Sequence, residues 1–356
     1  MKRCFKAVLC TLVITTLFLS ACGGTPTTTT PPAVTTVAAN QSASTPADAA
    51  NSSEEWVFDR KIDIICGWGA GGGQDSTIRP MAALLQESLG VPVVVTNVEG
   101  ANGWNSYDYV NKQPADGYTF CMNTPTLIVL DLMGETPANI DYKNGFVPVC
   151  KLVHDMSIVI TSKKSSAGKY TTFPEMLDYA DKNPGQVSVG MISATGMDAI
   201  GFKKAIGDAQ INNVSFNGGA EMNAALIGGH IDLAMAGVSE IAGLMESGDV
   251  IPLLALTQKK IGLYPDIPIS ADYGIDSDIG PYRFVMAKKG TPQAAIDALE
   301  AAIEKAVETP EWQEFLVNNC FNERVHYENE EAITALIAKD YEVFREYLRE
   351  EGLLAK

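Results

Sequence analysis

Residues 61–75 read KIDIICGWGAGGGQD. Ile62, Ile64 and Ile65, closed by Cys66, make a short β-branched run of the length expected for a buried strand of a parallel sheet. Six of the next seven residues are Gly or Ala. A loop so stripped of side chains lets a ligand reach backbone N–H groups, and the helical pattern that follows adds the partial positive charge of a helix N-terminus. Strand, bare loop and helix start together form a place to hold an anion.

Working outward, residues 76–89 place Ile78, Met81, Leu84, Leu85 and Leu89 at helical spacing before Gly90. Pro80 requires that helix to begin later than Asp75 suggests, or to bend. Residues 91–96 read as a second strand, 106–112 as a short helix, and 118–122 as a third strand leading to the polar loop Asn123-Thr124-Pro125. Such loops gather at the carboxyl edge of an open α/β sheet, where ligands bind. The pattern then repeats. Strands are expected at 157–161, 186–191, 213–216, 230–234 and 251–257, and helices at 173–181, 199–207 and 220–227. Between them lie Ile192-Ser193-Ala194-Thr195-Gly196, then Asp198, Asn217-Gly218-Gly219, and Gly237-Val238-Ser239. Residues 283–287 would return the chain to the first unit, and the remainder is helical, with Thr291-Pro292 and Thr309-Pro310 as helix starts. The expected fold class is therefore α/β with a mainly parallel sheet in each of two domains, 56–156 plus 282–356 and 157–281, and a ligand cleft between them.

The beginning of the chain sets the compartment. Met1-Lys2-Arg3 and Lys6 give a basic start, residues 7–19 are apolar, and Leu19-Ser20-Ala21-Cys22 has the form of a lipoprotein cleavage box. Residues 1–21 thus read as a signal peptide and Cys22 as a lipid attachment point, since the apolar core falls well short of the roughly 18 to 20 residues of a membrane span. Residues 22–55, rich in Thr, Pro, Ala and Ser, cannot bury enough apolar surface to offset chain entropy and read as a disordered tether. Removing the three basic residues of the leader takes the formal net charge from −17 to −20. That excludes nucleic acid as a partner, because phosphate binding needs a basic face; a local backbone site for a small anion remains compatible with it. Cys66, Cys121, Cys150 and Cys320 lie far apart in apolar runs and read as buried free thiols. No metal site and no cofactor are expected, as the three histidines, His154, His230 and His326, are isolated from one another.

From about Arg60 onward the chain resembles the substrate receptors of tripartite tricarboxylate transporters, the Bug-type extracytoplasmic binding proteins. The resemblance rests on Gly71-Gly72-Gly73-Gln74-Asp75, Val93-Val94-Val95-Thr96-Asn97 with Gly100-Ala101-Asn102-Gly103, and Asp116-Gly117-Tyr118-Thr119. It continues through Phe216-Asn217-Gly218-Gly219-Ala220, Gly228-Gly229-His230-Ile231-Asp232, Pro265-Asp266-Ile267-Pro268 and Lys289-Gly290-Thr291-Pro292. It implies a type II periplasmic-binding-protein fold closing on a small organic carboxylate for delivery to integral membrane transporter subunits, with the membrane reached only through the lipid anchor. It also implies that residues 68–75 and 193–198 are the two jaws. Two positions depart from the pattern. Asp198 stands where relatives commonly carry Ser or Thr: if it caps its helix its charge is absorbed by N–H groups, and if it faces the cleft the cargo carries an amine. Cys66-Gly67-Trp68 replaces a proline and a smaller aromatic.

The candidate ligand-binding set is Trp68, Gly71, Gly72, Gly73, Asp75, Asn123, Thr124, Ser193, Ala194, Thr195, Gly196, Asp198, Asn217, Gly218, Gly219 and Ser239. Trp68 reads as a ligand wall and Asp75 as a loop brace, while Arg283 suits an acidic ligand and an interdomain salt bridge equally. No catalytic residue is expected. Gly67-x-Gly69-x-x-Gly72 matches a dinucleotide fingerprint, but the second strand ends in Thr96-Asn97 rather than in an acidic ribose ligand. Ser193 and Ser239 lack the G-x-S-x-G elbow and a histidine placed to activate them. A receptor for an amino acid or aromatic acid used in sensing is the alternative to a transport receptor, and a tethered scaffold has no need of a backbone-lined cleft.

Overall fold

The computed structural model describes residues 56–193 and 195–355. The expected leader, Cys22, the tether and Ala194 lie outside the described residues.

Ten strands form two five-stranded sheets among the described residues. The first sheet contains β1 (Ile62–Cys66), β2 (Val93–Asn97), β3 (Thr119–Asn123) and β4 (Phe146–His154). The second contains β5 (Ser157–Ser162), β6 (Val187–Met191), β7 (Ile211–Ser215), β8 (Leu233–Gly237) and β9 (Val250–Ala255), after which β10 (Tyr282–Lys288) rejoins the first. Helices α1 (Gly73–Leu89), α2 (Trp104–Lys112), α3 (Thr126–Leu132) and α4 (Tyr142–Gly145) belong to the first pass, and α5 (Phe173–Lys182), α6 (Met197–Ile206), α7 (Gly219–Ile227) and α8 (Val238–Glu246) to the second unit. Helices α9 (Gln293–Val307), α10 (Pro310–Asn318) and α11 (Glu330–Glu350) close the chain.

Strand orders are β2-β1-β3-β10-β4 and β7-β6-β8-β5-β9. Each sheet has a parallel half, β1 with β2 and β3, or β6 with β7 and β8. The expectation of mainly parallel sheets needs correction. Strand β10 runs antiparallel to β3 and β4, and β5 antiparallel to β8 and β9, so both sheets are mixed. The cause is connectivity: one strand leads out of a sheet and another returns beside it in the opposite direction. Helices cover both faces of the first sheet. Ile62, Ile64 and Phe120 pack towards α1 and α9, whereas Ile65, Cys121 and Phe284 pack with Trp104, Ile128 and Phe344 of α2, α3 and α11. This two-sided burial is why the first strand reads as a continuous apolar run. The four described cysteines are buried free thiols.

Several boundaries move. Helix α1 begins at Gly73 rather than 76 and carries Pro80 inside it; the proline withholds an N–H from the Ser76 carbonyl, tolerable because Ser76 is exposed to water. Helix α6 starts at Met197, so Asp198 sits within its first turn. The strand expected at 230–234 is β8 at Leu233–Gly237, because His230 N–H bonds back to the Ala225 carbonyl and closes the end of α7. Pro292, not Thr291, stands at the start of α9, while Thr309 caps α10 as expected by accepting from Trp312 N–H.

Two backbone crossings join the sheets and are hydrogen-bonded to each other. Asp155 N–H donates to the Pro281 carbonyl at 3.0 Å and Ser157 N–H to the Ile279 carbonyl at 3.1 Å. A methyl group at Gly280 would lie 1.9 Å from the Asp155 carbonyl oxygen. Gly280→Ala is expected to destabilise the protein by about 1–3 kcal/mol through this overpacking, whereas Gly243→Ala, on an open face of α8, should be neutral or stabilising by up to about 1 kcal/mol. Urea denaturation checks both; equal midpoints for the two variants would contradict the crossing geometry.

Candidate functional site

Four helix starts converge where the sheets face each other. Helices α1, α6, α7 and α8 are preceded by Gly72, Gly196, Gly218 and Gly237, so none has a capping side chain of its own, although Asp155 accepts from Ser239 N–H in the first turn of α8. At α1, α6 and α7 the glycine cap turns the initial N–H groups towards the cleft, whereas at α8 Val238 N–H is held by the Met156 carbonyl and Ser239 N–H by Asp155. The cavity there is about 60 Å³ and is lined by Trp68, Gly73, Thr124, Asp198, Gly219, Glu240 and Arg283 among others. A single water needs roughly 10–15 Å³ on this measure, so the cleft is closed down to room for a few waters or one small polar group. Its walls meet glycine on glycine: a methyl group at Gly218 would lie 3.6 Å from Gly69 Cα.

The cavity floor is a buried charge cluster. Arg283 of β10 is 2% exposed; its Nη2 lies 2.9 Å from Asp155 Oδ2 and 3.5 Å from Glu240 Oε1, and its Nη1 donates to Thr77 Oγ1 at 3.1 Å. Asp155, in the first crossing, also accepts from Met156 N–H at 2.8 Å and from Ser239 Oγ at 2.5 Å. Asp198 Oδ1 accepts from Ser157 Oγ at 2.6 Å. Glu240 reaches from the first turn of α8 to the opposite lobe: methyl groups at Gly73 and Gly219 would fall 2.2 Å and 2.6 Å from its carboxylate oxygens. Only glycine at both helix starts lets that carboxylate in. Burial pushes the Glu240 carboxyl up to about 7, reinforced by the charges of Asp155 and Asp198 and opposed by Arg283 and the Gly73 N–H. Burial likewise raises Asp198, against the hydrogen bond from Ser157.

Of the sequence-derived candidates, Trp68, Gly72, Gly73, Thr124, Asp198, Gly218 and Gly219 line this cavity. Asp75 does not. It is the loop brace, accepting from Gly71 N–H at 3.0 Å and from Arg79 Nε at 2.9 Å, and Gly71 turns outward with φ +77°. Asn123 is spent internally, donating to Tyr142 Oη at 2.6 Å and accepting from Thr124 N–H at 2.6 Å. Ser239 is held by Asp155 in the first turn of α8, and Asn217 is exposed. Ser193, Thr195 and Gly196 flank the cavity rather than line it, with Gly196 packed against Thr126 of the first lobe. The loop facing residues 69–73 directly is therefore Gly218-Gly219 rather than 193–196. Of the two roles weighed for Arg283, the structure shows the ion pair between the lobes, with Glu240, while the side chain also lies on the cavity wall. Glu240, Gln74 and Thr126 were missed. Glu240 follows the same strand–glycine–helix device as the other jaws, but α8 is not among the helices expected from the sequence.

His154 serves structure, with Nε2 3.0 Å from Arg324 Nη1; burial, then the charges of Arg324 and Lys151, holds its pKa down at about 3. Among the described residues no cluster of His, Cys, Asp and Glu suits a metal ion, and no helix is long and apolar enough to cross a membrane.

The model of the family described as "Tripartite tricarboxylate transporter family receptor" matches residues 77–353. The chain belongs to this receptor family. Among similar proteins, Protein BugT of Bordetella pertussis is 28% identical over 75% of this chain and 82% of its own length. The UPF0065 protein in gbd 5'region of Cupriavidus necator is 25% identical over 83% and 88%. Solved structures share the receptor fold: one from R. palustris with adipate has TM-score 0.74 at 22% identity, covering 83% of this chain and 98% of that one. MatC from Rhodopseudomonas palustris with bound malate has TM-score 0.72 at 17% identity, covering 81% and 98%.

Breaking the cluster should be costly. Arg283→Met leaves Asp155 buried without its cation, a loss of about 3–5 kcal/mol, readable by chemical denaturation at neutral pH. Glu240 gives the opposite sign. Its folded pKa of about 7 lies above the ordinary 4.5, so the wild type loses stability as pH rises from about 4.5 to 7, and nothing further above that. Glu240→Gln is therefore expected to gain on the wild type across that window by on the order of 3 kcal/mol; a pH-independent difference would refute the assignment.

Proposed function

We propose that the chain is an extracytoplasmic solute receptor whose lobes, 56–156 plus 282–356 and 157–281, close by a hinge on a small organic carboxylate and present it to integral membrane transporter subunits. The facing of the glycine-capped starts of α1, α6 and α7 across one cleft carries this reading, because it supplies backbone donors for an acid group without a dedicated basic patch. Adipate and malate in the two structural relatives agree with that chemistry. Thr124 and Thr126 add hydroxyls to the first-lobe wall, and Trp68 gives an apolar face for the rest of the ligand. Recognition would involve no covalent step and no cofactor. The lipoprotein box at Leu19-Ser20-Ala21-Cys22 supports a lipid anchor at Cys22, which keeps the receptor beside its transporter on the outer face of the membrane.

Two measurements test this. In a thermal-shift panel of mono-, di- and tricarboxylates, amino acids and aromatic acids, the cognate class should stabilise the receptor by about 2.7 kcal/mol at a hundredfold excess over Kd. A response to sugars or nucleotides alone would overturn the ligand class. For the anchor, Cys22→Ser should move the protein from the membrane fraction to the soluble fraction of expressing cells; unchanged partition would rule out lipidation at that residue.

A further inference from the structure

The anion cradle of this cleft is already occupied by the protein itself. Glu240 projects from the second lobe into the space between Gly73 and Gly219, the first residues of α1 and α7, one from each lobe. These are the positions from which bare N–H groups would hold an external acid. Arg283, the one basic side chain on the cavity wall among the described residues, is likewise engaged, by Asp155 at 2.9 Å and by Glu240 at 3.5 Å. Asp198 opens on the same cavity, its Oδ1 bound to Ser157. With all groups ionised, Asp155, Asp198 and Glu240 against Arg283 leave two uncompensated negative charges around a space for a few waters. A second carboxylate brought there meets like charge on both sides, whereas an ammonium group meets two carboxylates and offers up to three donors.

Building on the receptor reading above, we propose that Glu240 is the specificity-determining residue of the cleft, standing in for a ligand acid group and, with Asp198, selecting a solute that bears an ammonium group. The solute class is the amino-substituted carboxylic acids, with the ammonium group held by Glu240 and Asp198 and the acid group directed to the hydroxyls of Thr124 and Thr126. The upward shift of both carboxyls fits this arrangement, since an arriving cation would favour their ionised forms. Asp198 thus faces the cleft without being the only acid that does so.

Isothermal titration calorimetry with matched pairs tests the proposal: succinate against aspartate, glutarate against glutamate, and propionate against alanine. The wild type is expected to bind the amino member of at least one pair tenfold or more tightly than its plain counterpart. Glu240→Gln and, separately, Asp198→Asn should shrink that preference to within about threefold, an effect read as a ratio so that a general loss of affinity cancels. Circular dichroism confirms that each variant is folded. A wild type that binds the plain acid equally well or better overturns the proposal and leaves the receptor reading standing, as does a preference that survives both substitutions. Silence from both members of every pair overturns the proposal and the carboxylate-receptor reading together.

Discussion

The ion pair between Arg283 and Asp155 is the constraint on which the cleft depends. Both side chains are removed from water, 2% and 0% exposed, and burying them is costly unless each partner is in place. They come from different parts of the architecture, Arg283 from the strand returning to the first sheet and Asp155 from the crossing that leaves it. Their union therefore fixes the two crossings beside each other as firmly as the backbone bonds do. Glu240 extends the same network to the second lobe. A fully apolar floor would pack the lobes without directing them, whereas this cluster specifies how they meet.

The glycines are the complement of that network. Gly73 and Gly219 are small because a carboxylate stands where their side chains would be, and Gly280 is small because a carbonyl does. In this chain the bare loops serve two ends together, exposing N–H groups and letting the lobes approach to backbone distance. The dinucleotide-like spacing of Gly67, Gly69 and Gly72 arises from the second need as much as from the first.

Much of this was legible before any coordinates. The strand 62–66, its glycine loop, the repeat of that device in the second unit and the family itself are all local patterns, and local patterns survive in a linear reading. Asp75 as a brace and the buried cysteines follow from the same kind of evidence. What the reading missed is non-local. Whether Asn123 faces a ligand or Tyr142 depends on a residue nineteen positions away. Which loop opposes residues 69–73 depends on how two sheets dock, and the promotion of Gly218-Gly219 over 193–196 has no signature in either segment. Glu240 escapes a linear reading because no helix is expected after Gly237-Val238-Ser239, whereas α8 begins at Val238 and its first turn carries the carboxylate into the cleft.

The position of β10 carries a consequence for how the chain acquires its shape. The second sheet is drawn from one continuous segment, β5 to β9, and has all its partners once residue 255 has been made. The first sheet is different, because β10 lies between β3 and β4 and is hydrogen-bonded to both. Until residues 282–288 emerge, β3 and β4 are open edges, and the earliest part of the body waits for the latest strand. The second sheet can therefore be complete while the first still lacks its fourth strand in spatial order, β10. The pairing of Arg283 with Asp155 requires that strand to be in its gap, so the ion pair reports that the first sheet is whole.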